Sequence, residues 1–217
     1  MPKDETCLEP SSKKLSPQKN KAKVLVLASG GGTTFEALAL FSKTPTAAFD
    51  VMGMVTNNPQ AGALARAAGL KIPSFVFSHD RAQVEKFFEN VVETAKDLSV
   101  DVIALAGFLL LVREPLLSAY RGRILNTHPS LLPHFGGKGM YGERVHQAVI
   151  AAGHKESGVT VHLVNEKYDE GKVLGRVRVP VTETDDFHSL AERVRKEEKT
   201  LYPEILNQFV TSQGFHG

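Results

Sequence analysis

Four side chains in the second half of the chain have the chemistry for a reaction: Asn126, His128, His162 and Asp169. Asn126 and His128 stand two apart in Arg123-Ile-Leu-Asn126-Thr-His128-Pro129-Ser130-Leu131-Leu132-Pro133, where an apolar run ends. Alternation along an extended chain puts them on the same side, and Pro129 biases His128 towards extended backbone. Two histidines and a carboxylate suit a metal triad, but no two of them lie one helical turn apart, as in common zinc motifs. Ser130, between Pro129 and Leu131, lacks the nucleophile-elbow context of a serine hydrolase. What remains is a histidine acid or base held by Asp169, with Asn126 as a neutral donor. That set suits attack on a carbonyl, whose oxygen gains charge in the transition state. Against it stands a satisfied histidine in a polar turn, the usual fate of a lone His.

The elements that must position these residues can be traced in order. Lys23–Ala28 is a continuous apolar run of strand length, as in a parallel sheet buried on both faces. Ser29-Gly-Gly-Gly-Thr33-Thr34 then leads into a helical pattern (Phe35, Leu38, Phe41), with Thr33 and Glu36 at capping-box spacing. Such a glycine turn presents N–H groups and a helix N-terminus to an anion. A dinucleotide fingerprint would need glycine at Phe35 and an acid after the second strand, where Thr56-Asn57-Asn58 stands. The Gly-Lys-Ser/Thr of a P-loop is missing. A loop for one phosphate and a plain tight turn both remain open.

Further strands are expected over Asp50–Thr56, Ile72–Phe77 (an edge, given Pro73), Asp101–Ala106 and Gly122–Asn126. Helices are expected over Gln60–Ala68, from Asp80 to Leu98 and over Glu114–Tyr120. A helix over Glu143–Ala152 follows a glycine-rich loop, Gly136–Gly142. Two alternating strands, Ser157–Val164 and Val173–Val181, pair as a hairpin. Thr184 or Asp185 caps a final helix whose apolar face runs to Phe209, with Pro203 as a kink point. The fold class is α/β: a Rossmann-like open, mostly parallel sheet with helices on both faces and a C-terminal antiparallel hairpin. Ligands of such sheets bind beyond the carboxyl ends of the strands. Ser29–Thr34, Gly107–Val112 and Asn126–His128 should therefore converge.

Composition sets the remaining bounds. The chain has 217 residues, 42% hydrophobic, with a net charge of +2, so it can bury a full core and does not imply a nucleic-acid partner. Residues 1–21, rich in Lys, Ser and Pro, read as a disordered extension, and 22–217 as one catalytic domain. The single cysteine, Cys7, fits a reducing compartment, and no apolar run spans a bilayer. With no secretory signal in the first residues, the cytoplasm is the expected location.

Asn126-Thr-His128-Pro-Ser-Leu-Leu-Pro133 with Asp169 in Tyr168-Asp169-Glu170-Gly171 resembles the signature of the folate-dependent formyltransferases. Ser29–Thr34, Ala106-Gly-Phe108 and Tyr202-Pro203 resemble the branch that formylates glycinamide ribonucleotide in purine biosynthesis. The likeness runs from about Lys23 to about Phe209. Relatives with an added domain, for methionyl-tRNA or for formyltetrahydrofolate hydrolysis, are longer than this chain. The resemblance implies 10-formyltetrahydrofolate as co-substrate, glycinamide ribonucleotide as acceptor, and no metal. Asn126 would donate to the formyl oxygen, protonated His128 would stabilise the oxyanion, and Asp169 would raise the His128 pKa and relay protons through water. Gly32, Thr33, Thr34 and Phe35, with Arg195, Lys196, Glu197 and Glu198, would bind the ribonucleotide. Arg81, Leu109, Leu110, Leu111, Val112, Asn165, Glu166, Lys167 and Tyr168, with Asn126 and Asp169, would bind the folate.

Three departures stand out: Leu110 where many members are basic, Thr34 where Asn is common, and Gly136–Gly142 in place of a shorter turn. Read from the residues alone, His162 is structural, His146 is on a helix near the cleft with a satisfied surface role equally open, His134 is solvated, and Arg195–Lys199 is a solvated helix face. Rival readings are a formyltransferase for another amine, a hydrolase of the same folate, and a non-catalytic nucleotide-binding module. Oligomeric state stays open.

Overall fold

The computed structural model describes residues 21–78 and 83–215. The expected N-terminal extension (1–21) lies outside the described residues except for Lys21, which pairs with Asp50, and the Asp80 cap and Arg81 lie outside them too. Among the described residues thirteen elements follow one another: β1 (Ala22–Leu27), α1 (Thr33–Ser42), β2 (Phe49–Thr56), α2 (Gly62–Gly69), β3 (Ser74–Val76), α3 (Val84–Asp97), β4 (Val102–Leu105), α4 (Leu116–Ala119), β5 (Ile124–His128), α5 (Glu143–Ala151), β6 (Glu156–Leu163), β7 (Val173–Pro180) and α6 (Phe187–Gln213). They build one seven-stranded sheet in the order β3-β2-β1-β4-β5-β6-β7. The first five strands are parallel; β6 runs antiparallel to β5, and β7 antiparallel to β6. The expected α/β sheet, with β3 at an edge and the final hairpin, is therefore present. The sequence did not reveal that the hairpin docks through β6 on β5.

Strand alternation divides the core. Val24, Val26, Val102 and Ala104 pack with α1, α2 and the C-terminal part of α6 through Phe35, Leu38, Ala63, Tyr202 and Leu206. Leu25, Leu27, Ile103 and Ile124 face the other way, against Phe87, Phe88 and Val91 of α3 and Leu116 of α4. Burying each such side chain contributes roughly 1.5–3 kcal/mol, which is why strands apolar on both faces take the centre. A smaller cluster (Val149, Val159, Val179, Leu190, Val194) joins α5, the hairpin and the start of α6.

Local chemistry differs from expectation at several helix starts. Thr33 is the first residue of α1 rather than its cap; Gly32 caps it with φ 75° and no side-chain hydrogen bond. Glu36 turns away and pairs with Arg66 of α2. Asp186, not Thr184 or Asp185, caps α6 by accepting from the Ser189 N–H at 2.8 Å. Asp185 is taken instead by the Arg193 guanidinium, which holds its carboxyl far below the usual range. α6 runs through Pro203, whose ring is buried against the core.

Gly32 meets two constraints at once. Its φ lies in the left-handed region, and a Cβ there would come within 2.6 Å of Ala63 in α2. Replacing Gly32 with Ala is expected to cost at least about 1 kcal/mol, read as a lower urea midpoint. An unchanged midpoint would show that the α1–α2 contact yields easily.

Candidate active site

The register of the sheet assembles the polar centre. Asn126 and His128, two apart on β5, share a face, and Asn126 is paired directly with His162 of β6. The chain beyond β5 is clamped by Thr160 of β6, whose hydroxyl donates to the Ser130 carbonyl (2.7 Å) and accepts from the Leu132 N–H (3.0 Å). From α6, the Tyr202 hydroxyl donates to the Leu125 carbonyl at 3.0 Å. Asp169, at φ 56° in the loop between β6 and β7, reaches back to both histidines. Its oxygens lie 3.5 Å from His128 Nδ1 and 3.5 Å from His162 Nε2, and it accepts from the Gly137 N–H at 2.9 Å. Gly171 allows this return, since a Cβ there would stand 1.7 Å from the Leu163 carbonyl oxygen.

Hydrogen bonding settles the roles of the ring nitrogens. His128 Nε2–H donates to the Phe135 carbonyl (2.8 Å), so Nδ1 is the nitrogen beside Asp169. His162 Nδ1–H donates to the Leu163 carbonyl (2.8 Å), and in the neutral ring Nε2 then accepts from Asn126 Nδ2 at 3.1 Å. That orients the Asn126 amide with its nitrogen inward and leaves its second N–H for a ligand.

Electrostatics revise one expectation. Burial pushes the His128 pKa below its ordinary value, and the attraction of Asp169 and the Phe135 carbonyl does not recover it. The free site therefore favours neutral His128, rather than an imidazolium held by Asp169. Burial pushes Asp169 up, but the nearness of His162 and His128 and the Gly137 N–H outweigh it and hold the carboxyl below its ordinary value.

These groups line a cavity of about 470 Å³ at the carboxyl ends of β1, β4 and β5. Gly30–Thr34 form one wall. The Ser29, Gly30 and Gly31 carbonyls are bonded outward to Asn58, Ala63 and Arg66, which pins the turn. Ser29 also ties together the ends of β1, β2 and β4, accepting from the Leu109 N–H at 3.1 Å and donating to Asn57 at 2.7 Å. Leu109–Val112, Lys167 and Tyr168 line the mouth, and Arg195 and Glu198 of α6 line the wall beside Thr34 and Thr127. Burial raises the Glu198 pKa to about 7, with the Thr34 and Thr127 hydroxyls facing it and lowering it in part. The Thr127 hydroxyl does so without a well-formed hydrogen bond.

Of the expected site residues, Gly32, Thr33, Thr34, Leu109, Leu110, Leu111, Val112, Asn126, His128, Lys167, Tyr168, Asp169, Arg195 and Glu198 meet at this cavity. Five do not line it. Phe35 is fully buried under the sheet, since the first turn of α1 rotates it into the core. Lys196 and Glu197 lie on other faces of α6, because only positions three or four apart share a face; they border a shallow surface pocket with Arg178 and Arg193 instead. Asn165 is a turn residue, accepting from the Lys167 N–H at 3.0 Å, and Glu166 pairs with Arg121 outside the cavity.

Two of the lining histidines differ from the sequence reading. His162 was taken as structural because its pairing with β5 is not encoded locally. His146, for which a surface role was open, is only 5% exposed. Tyr141 stands at the mouth with the Arg144 guanidinium 5.0 Å above its ring. Spacing on α5 was the one available signal for His146: it is one residue from Val145 and three from Val149, both fully buried.

Burial, with Arg195 and His128 nearby, lowers the His146 pKa to about 4. The unfolded chain takes up this proton near pH 6.5 and the folded chain only near 4. Its contribution is therefore complete above about pH 6.5 and lost as pH falls towards 4, by roughly 2–3 kcal/mol. Urea midpoints between pH 7 and 4.5 should fall less steeply in His146→Leu than in wild type; parallel slopes would refute this.

Residues 22–206 match the model of the formyl transferase family. The chain belongs to that family. The chloroplast phosphoribosylglycinamide formyltransferase of Vigna unguiculata is 40% identical over 187 residues, which is 86% of this formyl transferase chain and 60% of the plant protein. The phosphoribosylglycinamide formyltransferase of Bacillus subtilis is 35% identical over 87% of this chain and 94% of its own. Among solved structures, glycinamide ribonucleotide transformylase 1 of Symbiobacterium toebii superposes with a TM-score of 0.83 at 32% identity, covering 93% of each chain.

Proposed function

We propose that this formyl transferase is a phosphoribosylglycinamide formyltransferase, moving the formyl group of 10-formyltetrahydrofolate to the amine of glycinamide ribonucleotide in purine biosynthesis. The observation that carries the reading is the meeting of Asn126, His128 and Asp169 at one cavity, whose opposite wall is an anchored glycine turn at a helix N-terminus. A strand-end turn of this kind suits a phosphate, and the half-apolar mouth suits the folate.

The amine lone pair attacks the formyl carbon, and the carbonyl π pair moves onto oxygen. The free Asn126 N–H donates to that oxyanion. The amine proton passes to His128 Nδ1, whose imidazolium is then stabilised by Asp169 and adds charge beside the oxyanion. On collapse the carbon–nitrogen bond to the folate breaks, and the proton returns to the departing nitrogen. Tetrahydrofolate and the formylated ribonucleotide leave. His128 begins neutral and becomes charged only when charge is needed, which agrees with its depressed pKa.

Arg195 and Glu198 are suited to hold the ribonucleotide, and Leu109–Val112 with Lys167 and Tyr168 the folate. Leu110 leaves that part of the folate contact apolar or main-chain. The transfer uses no metal, and turnover should survive a chelator. A reducing, cytoplasmic setting is proposed on the lone Cys7. Incubation with 10-formyltetrahydrofolate, with and without glycinamide ribonucleotide, tests the reading: formyl consumption should require the ribonucleotide. Consumption at the same rate without it would make the protein a folate hydrolase.

A further inference from the structure

His146 is a histidine that the proposed transfer leaves without a role. It lies on α5, 5% exposed, and borders the cavity. Its Nδ1 is buried with no hydrogen-bond partner among the described residues. Two other buried polar atoms share that state, the Thr127 and Ser157 hydroxyls. Thr127 faces Glu198, and Ser157 is not part of the cavity wall. A buried polar group without a partner destabilises the fold, and an apolar side chain of similar shape in its place is often neutral or stabilising. Retaining such a group at a cavity wall is expected where a ligand uses it.

Position and charge narrow the ligand. His146 is close enough to both Arg195 of α6 and His128 of β5 to feel their charges. It lines the same cavity as the formyl-transfer centre and the helix face that carries Arg195 and Glu198. Burial and the nearby Arg195 guanidinium keep it neutral. A neutral imidazole offers one donor and one acceptor. In glycinamide ribonucleotide the amine must reach His128 while the sugar and phosphate lie towards Glu198 and Thr33–Thr34. The group spanning that interval is the amide, which also offers one donor and one acceptor.

We propose that His146 is a substrate-binding residue that hydrogen-bonds the glycinamide amide of the ribonucleotide and so aims its amine at the formyl carbon. The inference rests on the proposed function. An uncharged partner suits this place: a lysine or arginine would add a third cation beside the centre and oppose protonation of His128.

The test uses the full chain. His146→Leu is expected to fold with an unchanged or higher melting temperature. Its KM for glycinamide ribonucleotide should rise at least about tenfold, while the KM for 10-formyltetrahydrofolate stays within about twofold. His146→Gln, which keeps an amide donor and acceptor, should recover much of the ribonucleotide KM. In protein labelled with ¹⁵N-histidine, and in backbone amide spectra, titration with the ribonucleotide alone should shift the His146 ring signals, assigned by their absence in His146→Leu, together with the Gly32–Thr34 amides. Shifts in those amides with the His146 ring unmoved, or both KM values unchanged in a folded His146→Leu, would overturn the assignment. If neither amides nor ring respond at millimolar ribonucleotide, the ribonucleotide reading itself fails, and this inference with it.

Discussion

Asn126→Ala is expected to lower kcat by about two to three orders of magnitude, the usual cost of removing one oxyanion donor. The Asn126 nitrogen is fixed by its bond to His162 Nε2, so its second N–H is already aimed when charge develops. Little reorganisation remains for the reaction to supply. Both KM values should stay within a few-fold, because the interaction strengthens only in the transition state. A kcat near that of wild type would remove Asn126 from the mechanism. A kcat intact with a raised KM would make it a ground-state binder instead.

Asp169→Asn should lower kcat by roughly two to four orders of magnitude, the range for losing part of an acid–base pair. The Gly137 N–H can still be accepted by the new amide oxygen, so the loop should hold. What disappears is the negative charge that favours the His128 imidazolium. That charge raises the His128 pKa against the effect of burial. Without it the pKa falls further, and the acid limb of kcat/KM should move to lower pH. Ribonucleotide affinity should change little, since Asp169 contacts Gly137 and the two histidines rather than the glycine turn. Lost affinity with full turnover at saturation, or a limb that stays in place, would refute the role.

The two variants probe different parts of one arrangement, and those parts were unequally legible. The chain from Lys23 to His128 announces itself: apolar runs of strand length, glycine or proline punctuation, and helical periodicities between them. Each is a local signal, and the short-range order they encode is the order the fold adopts. Asn126 and His128 share a face by alternation alone. The glycine turn was legible as a turn, and its neighbourhood explains why it must be glycine at Gly32.

Other features depend on contacts between distant segments. His162 became part of the centre only when β6 paired antiparallel with β5 and set it opposite Asn126. Nothing in Ser157–Val164 says which strand will be its neighbour on that side. His146 and Tyr141 reached the cavity through the loop that Asp169 fastens at Gly137. The helix stretch Arg195–Glu198 showed the reverse: family likeness nominated four residues, and helical rotation brought two of them to the cavity.

By itself the sequence determined the α/β class, the shared face of Asn126 and His128, Asp169 as their partner through resemblance, and a glycine turn between the first strand and helix. The tertiary structure alone decided that burial depresses the His128 pKa, that His162 fixes the Asn126 amide, and that His146 is buried with its Nδ1 unpartnered at the cavity wall. The reason is physical. Periodicity and turn chemistry act over a few residues and are written in the chain. Desolvation, tautomer choice and unsatisfied hydrogen bonds depend on everything packed around a group, and that environment exists only once β5, β6, α5 and α6 have come together.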